Sequence, residues 1–342
     1  MIQVLLGIFL HGIGAISATF CYMPQKKTTR WSCQSYWLAQ AFICWLVLPI
    51  FIAWLTIPHL GKVIHEVPGN ILFQTFFFGA VYGIAGNAFG VAIRYIGFSL
   101  TYTVTIGMSV VLGTICPLLY TGELVQSLSQ IGGEWIIAGM GLGLIGLILF
   151  GVAGRNKEVE QNESVSNFKI GMWLCILVGI FNWFLNLSFS IGQPLADAAA
   201  KYGAGNLQSG AIYLFSLPGA FLTTLIYTVY LHTKHHTSKE YLNGNVVKGR
   251  TMLIYQLMAL FSGMMWYGQF LFYGLGHNQL GKLKFSSWAI HMVMLVLFSG
   301  LAGLILKEWK LVKPKTLYML FAGLFTLIIS VLFLTYGNYL GM

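Results

Sequence analysis

The chain has 342 residues, 57% of them hydrophobic and 8% charged, with a mean hydropathy of +0.76, whereas a soluble domain carries about 25% charged residues. That composition excludes a water-soluble protein and intrinsic disorder. Its 19 Lys and Arg against 9 acids, a net charge of +10, read as markers of membrane topology rather than as a nucleic-acid surface, because basic residues flank spans on the cytoplasmic side.

At about 20 residues per crossing, apolar segments of spanning length fall at 2–23, 37–58, 71–93, 100–122, 135–154, 170–192, 211–232, 251–276, 286–306 and 317–337. Their length predicts an all-α integral membrane protein of ten transmembrane helices, not a barrel. The first segment is not read as a signal peptide, since Gln25-Lys26-Lys27 follows the apolar run rather than preceding it. Fifteen Lys and Arg lie in the odd-numbered connections and four (Lys62, Lys201, Lys282, Lys284) in the even ones. This asymmetry places the odd loops in the cytoplasm and both termini outside.

The most polar connection divides the chain into residues 1–154 and 170–342, joined by a cytoplasmic linker at 155–169. Each half holds five spans, an odd number, so the halves run antiparallel. Short similarities support two inverted five-helix repeats: Tyr22-Met23-Pro24 matches Gly192-Gln193-Pro194, and Gly113 to Glu123 matches Gly300 to Glu308. Inverted repeats of this kind carry ligands by alternating access.

In the first span, His11 is one of two ionisable residues deep in an apolar segment, the other being His291 in the ninth. Both are candidates for carrying a proton, because burial favours neutral imidazole while a polar cavity restores the charge. The third span sets Gly79, Gly83, Gly86 and Gly90 beside Asn87. Its glycines suit close helix contact, and Asn87 requires a partner. In the sixth span Asn182, Asn186, Ser190, Gln193 and Asp197 follow at spacings of four, four, three and four, which shares one helix face. That polar stripe lines a wet cavity or joins helices. The eighth span aligns Trp266, Gln269, Tyr273 and His277, with Tyr267 adjacent. Aromatic faces with an amide between them suit a sugar, whose C–H face packs on rings while its hydroxyls need donors and acceptors.

The five cysteines (Cys21, Cys33, Cys44, Cys116, Cys175) read as reduced packing residues without metal-ligand spacing. Glu158, Glu160, Glu163 and Glu240 are expected to be solvated loop acids. The tract His232, His235, His236 lacks further ligands beyond Glu240, so no metal is expected. No nucleotide-binding or hydrolase motif occurs. The chain is therefore not read as an enzyme, and transport would run on an ion gradient or downhill.

Leu6-Gly7-Ile8-Phe9-Leu10-His11, Phe78 to Ile84, Arg94 to Ser99, Gly263 to Tyr273, Gly276-His277, Ser287-Trp288-Ala289-Ile290-His291-Met292 and Leu306 to Trp309 resemble the bacterial L-rhamnose/proton symporters of the drug/metabolite transporter superfamily. The resemblance runs from the first span to the end of the ninth. It implies a ten-helix importer of L-rhamnose, or a closely related 6-deoxyhexose, with a proton across the inner membrane. The chain departs from those relatives in carrying Asp197 for Glu, Gln193 for Lys, and Lys282 and Lys284 where they have an acid.

Together these features predict substrate contacts from Trp266, Tyr267, Gln269, Tyr273, Asn87, Asn182, Asn186 and His291. Asp197, His11 and His291 are expected to handle the proton, which is the coupling ion in place of any cofactor. The expected partners are the sugar, the proton and membrane lipid, with no nucleic acid and a monomer or weak dimer. The rivals are an exporter or exchanger of another metabolite on the same scaffold and a non-transporting membrane receptor.

Overall fold

The computed structural model describes residues 2–21, 23–96, 98–161, 167–241 and 249–341, and among them the regular structure is helical throughout. The helices are α1 (Ile2–Phe20), α2 (Cys33–Ala41), α3 (Leu48–Thr56), α4 (Leu60–Glu66), α5 (Gly69–Ile96), α6 (Phe98–Thr121), α7 (Leu124–Leu128), α8 (Gly133–Glu160), α9 (Phe168–Ile191), α10 (Gln193–Lys201), α11 (Gly210–His235), α12 (Arg250–His277), α13 (Ser287–Ile305) and α14 (Pro314–Leu340). Nine stretches among the described residues are long and apolar enough to cross a membrane. The segment expected at 251–276 lies on α12, a 28-residue helix whose Tyr, Trp and Gln side chains make it less apolar than those nine. Residues 162–166 of the expected linker, including Glu163, lie outside the described residues.

A π-helical stretch, Phe42–Val47, joins α2 to α3. Pro49 supplies the physical reason. It cannot donate to the Trp45 carbonyl one turn back, and the backbone takes up the wider turn, with the Leu48 N–H donating to Ile43 O.

By contact the chain forms two compact units. The first comprises Met1–Thr19, Ala85–Leu187 and Leu275–Met342; the second comprises Phe20–Ile84 and Ser188–Gly274. Each draws residues from both halves of the sequence, and the boundaries fall within α1, α5, α9 and α12. In the first unit α8 packs extensively on α14, and α6 packs on α8 and α13. In the second unit α11 packs on α2, the π stretch, α3 and α10. There Gly79 and Gly83 of α5 lie directly against the Ser216 and Ala220 carbonyls of α11, and Gly219 answers against the Phe76 carbonyl. This is the close small-residue approach by which helices associate in lipid.

Three loop acids are engaged rather than freely solvated, against the sequence expectation. Glu158 is buried and sits 3.6 Å from Arg155. Glu160 accepts from the Lys313 N–H at 2.7 Å and the Thr316 hydroxyl at 2.8 Å. Glu240 accepts from the Ser32 N–H, the Ser32 hydroxyl and the Ser35 hydroxyl. For Glu158 and Glu160 the reason lies in helix length: α8 continues to Glu160, carrying both charges onto its packed end.

Candidate functional site

In the first unit a ladder of polar contacts is organised by one proline. Pro117 lies inside α6 and has no N–H, so the carbonyl four residues earlier, that of Gly113, loses its helical donor. Asn186 of α9 fills the vacancy, its Nδ2 donating to Gly113 O at 2.5 Å. One turn away Asn182 Nδ2 donates to Ser109 Oγ at 2.8 Å. The indole N–H of Trp288, on α13, donates to Ser109 O at 3.0 Å and Ser109 Oγ at 3.1 Å. Gly113 has no room for a side chain because the Trp288 indole occupies that space. Trp288 thereby fixes the start of α13, and with it His291 three residues on.

His291 meets His11 of α1, 280 residues earlier in sequence, with ring centroids 5.9 Å apart at an interplanar angle of 61°. Both are buried, at 2% and 0% exposure. Gly276 adjoins the His11 ring, where a Cβ would come to 3.0 Å. His277 Nδ1 is hydrogen-bonded to Ser287 Oγ at 3.0 Å. The Gly-His motif therefore adjoins one member of the imidazole pair through Gly276 and is tied through His277 to the start of the Ser-Trp motif. Asn87, also in this unit, is half-buried on α5.

In the second unit the aromatic face of α12 is buried: Trp266, Tyr267, Gln269 and Tyr273 are all enclosed. Trp266 stands 4.7 Å from Trp45 and 5.1 Å from Trp37, centroid to centroid. Tyr82 adjoins Trp45 at 6.0 Å. Tyr273 faces Phe189 at 5.9 Å. Within the tryptophan cluster the indole N–H groups of Trp37 and Trp45 and the Tyr267 hydroxyl have no hydrogen-bond partner, and neither atom of the nearby Gln40 amide has one.

The sixth-span stripe is not one continuous helix. It breaks at Gly192, because Pro194 opens α10 as a new helix. Asn182 and Asn186 belong to the first unit, Ser190, Gln193 and Asp197 to the second. Asp197 is exposed, accepts from Gln193 Nε2 at 2.8 Å, and lines a surface pocket with Glu66, Pro194 and Lys201. Lys201 donates to Glu66 at 2.5 Å, holding that carboxyl below the ordinary carboxylate range. His232 has both ring nitrogens engaged, by Thr237 Oγ1 at 2.7 Å and Tyr241 Oη at 2.9 Å. Among the described residues no cluster has the makings of a metal site.

Sequence reasoning passed over Ser109, Gly113, Trp37, Gln40 and Trp45. The signal for Gly113 was Pro117 four residues on. For Gln40 and Trp45 a regular helical period gives no grouping, since the π stretch shifts the register between them.

A family described as L-rhamnose-proton symport protein matches residues 2–339 of the chain. The L-rhamnose-proton symporter of Mannheimia succiniciproducens is 30% identical over 333 residues, covering 96% of each chain. Its counterparts from Pectobacterium atrosepticum and Yersinia pestis are 30% and 29% identical over 333 residues, with 96% coverage of each chain in both cases.

Proposed function

Because this chain belongs to the L-rhamnose-proton symport protein family, we propose that it carries L-rhamnose into the cell together with a proton. It is a multi-pass protein of the bacterial inner membrane and a transporter, not an enzyme. The observation that carries the reading is the family match, which extends across nearly the whole chain.

The finer proposal has ten spans with both termini outside, arranged as two inverted repeats, 1–154 and 170–342, that work by alternating access. Trp266, Tyr267, Gln269 and Tyr273 are proposed substrate contacts, supported by their burial on α12, and Asn87 and His291, each in the first unit, are further proposed substrate contacts. Asn182 and Asn186 belong to the proposed set too, but their engaged amides favour helix adhesion as their main role. His11 and His291 share the proton: two imidazoles this close accommodate one positive charge far more readily than two. Asp197, exposed beside the Glu66–Lys201 pair, is the proposed point of proton entry. The partners are the sugar, the proton and lipid, with the protein acting as a monomer or weak dimer.

The coupling is energetically adequate. One charge moving through about 100 mV gains about 2.3 kcal/mol, worth about fifty-fold in sugar concentration. The test is to reconstitute the protein in lightly buffered vesicles and add L-rhamnose outside. The interior should acidify with sugar entry, and uptake that ignores a protonophore overturns symport.

A further inference from the structure

We propose that Gln40 reads the hydroxyls of the sugar, from within a tryptophan cage built wholly by the second unit. This rests on the sugar-transport reading above and names a recognition residue for it. Gln40 is on α2 at 0% exposure, and neither its Oε1 nor its Nε2 has a hydrogen-bond partner. The indole N–H groups of Trp37 and Trp45 and the hydroxyl of Tyr267 are buried and unpartnered in the same region. A lone buried carboxamide is costly, and native folds rarely leave one unsatisfied. Orphaned donors and an acceptor on α2, the π stretch and α12, the elements that carry the three indoles, mark a place that a polar ligand completes.

The geometry of the rings agrees with that occupant. Trp266 is tilted at 53° to both Trp37 and Trp45, and those two meet edge to face at 89°. None of the three pairs is stacked. Indole faces suit the C–H face and the methyl group of a 6-deoxyhexose, while a carboxamide offers two donors and an acceptor to neighbouring hydroxyls. Position is fixed from two sides. The Gln40 carbonyl lies against Gly263 of α12, where a Cβ would come to 2.9 Å, one turn before Trp266. On the other side the π stretch Phe42–Val47 brings Trp45 to the cluster, and π turns recur at functional sites.

The test uses the full-length protein in detergent, with tryptophan fluorescence reporting binding of L-rhamnose, L-mannose and L-fucose, and thermal melting measured without sugar. Gln40→Met keeps the volume and removes the unpaired polar atoms. It is expected to melt above wild type when sugar-free, and to bind L-rhamnose about tenfold or more weakly. Tyr267→Phe removes only an unpartnered hydroxyl and should fold normally, with about threefold weaker binding. Wild-type affinity in Gln40→Met overturns the proposal; if that variant does not fold, wild-type affinity in Tyr267→Phe overturns it. Transport of L-rhamnose by wild type alongside unchanged binding by the variants leaves the symport reading standing and sinks the cage. Binding of another sugar of the panel but not L-rhamnose, weakened by Gln40→Met, supports the cage and sinks the L-rhamnose assignment. No binding of any of the three by wild type overturns the cage as a site for sugars of this class.

Discussion

The amide ladder of the first unit and the tryptophan cluster of the second hold polar groups at similar burial and treat them in opposite ways. On the ladder, Asn182, Asn186 and Trp288 each donate to a neighbouring helix, and one of their acceptors is a carbonyl that Pro117 has released. In the cluster, Gln40, Trp37, Trp45 and Tyr267 keep donors and an acceptor without protein partners. Burial alone therefore does not mark a binding residue in a membrane protein. What separates the regions is whether the fold itself satisfies the polar atom, since a completed hydrogen bond joins helices and an incomplete one is available to a ligand.

Variants can break or sharpen this contrast. The largest effect is expected from Gly79→Ala, whose new methyl would overlap the Ser216 carbonyl. Forcing α5 from α11 should cost about 3 kcal/mol or more, seen as a sharp fall in melting temperature. Gly61→Ala, with open space around it, is the control. His291→Gln should lower L-rhamnose accumulation from about fifty-fold to equilibrium at about 100 mV. Exchange of labelled for unlabelled sugar should persist; retained accumulation would remove the imidazole pair from the coupling.

Asn186→Leu should destabilise by about 1–3 kcal/mol, because the buried Gly113 carbonyl is left without its donor. A melting temperature that rises instead would erase the contrast with Gln40→Met. The smallest effect is expected at the exposed Glu66–Lys201 pair. Lys201→Met should leave the melting temperature almost unchanged at neutral pH and moderate salt. The Glu66 carboxyl is held below its ordinary value by the lysine, so what the pair does contribute is present above the unfolded carboxylate range. It fades as pH falls through the folded value, and the two melting curves should merge in acid.

Much of this fold is legible in the sequence because lipid imposes length. Apolar runs set the helices, and the glycines at 79 and 83 announce a close contact before its partner is known. The eighth-span stripe keeps its period for a similar reason, since α12 is unbroken from Arg250 to His277, although His277 at its end belongs to the first unit and the other three to the second. The sixth-span stripe fails at Gly192, where Pro194 starts a new helix and separates Asp197 from the asparagines. Gln40 and Trp45 stay hidden because a π stretch intervenes. The meeting of His11 with His291 depends on tertiary packing, which no local pattern encodes, although each residue taken singly is conspicuous as a buried ionisable group.

The brace at Gly113 makes three positions mutually dependent. With an ordinary residue at 117 the helix would close its own hydrogen bond, and the Asn186 amide would compete for an oxygen already served. With an apolar residue at 186 the proline becomes a liability. Drift at either site should therefore be tolerated mainly when the other has already changed, and Gly113 must stay small throughout because the Trp288 ring occupies its flank.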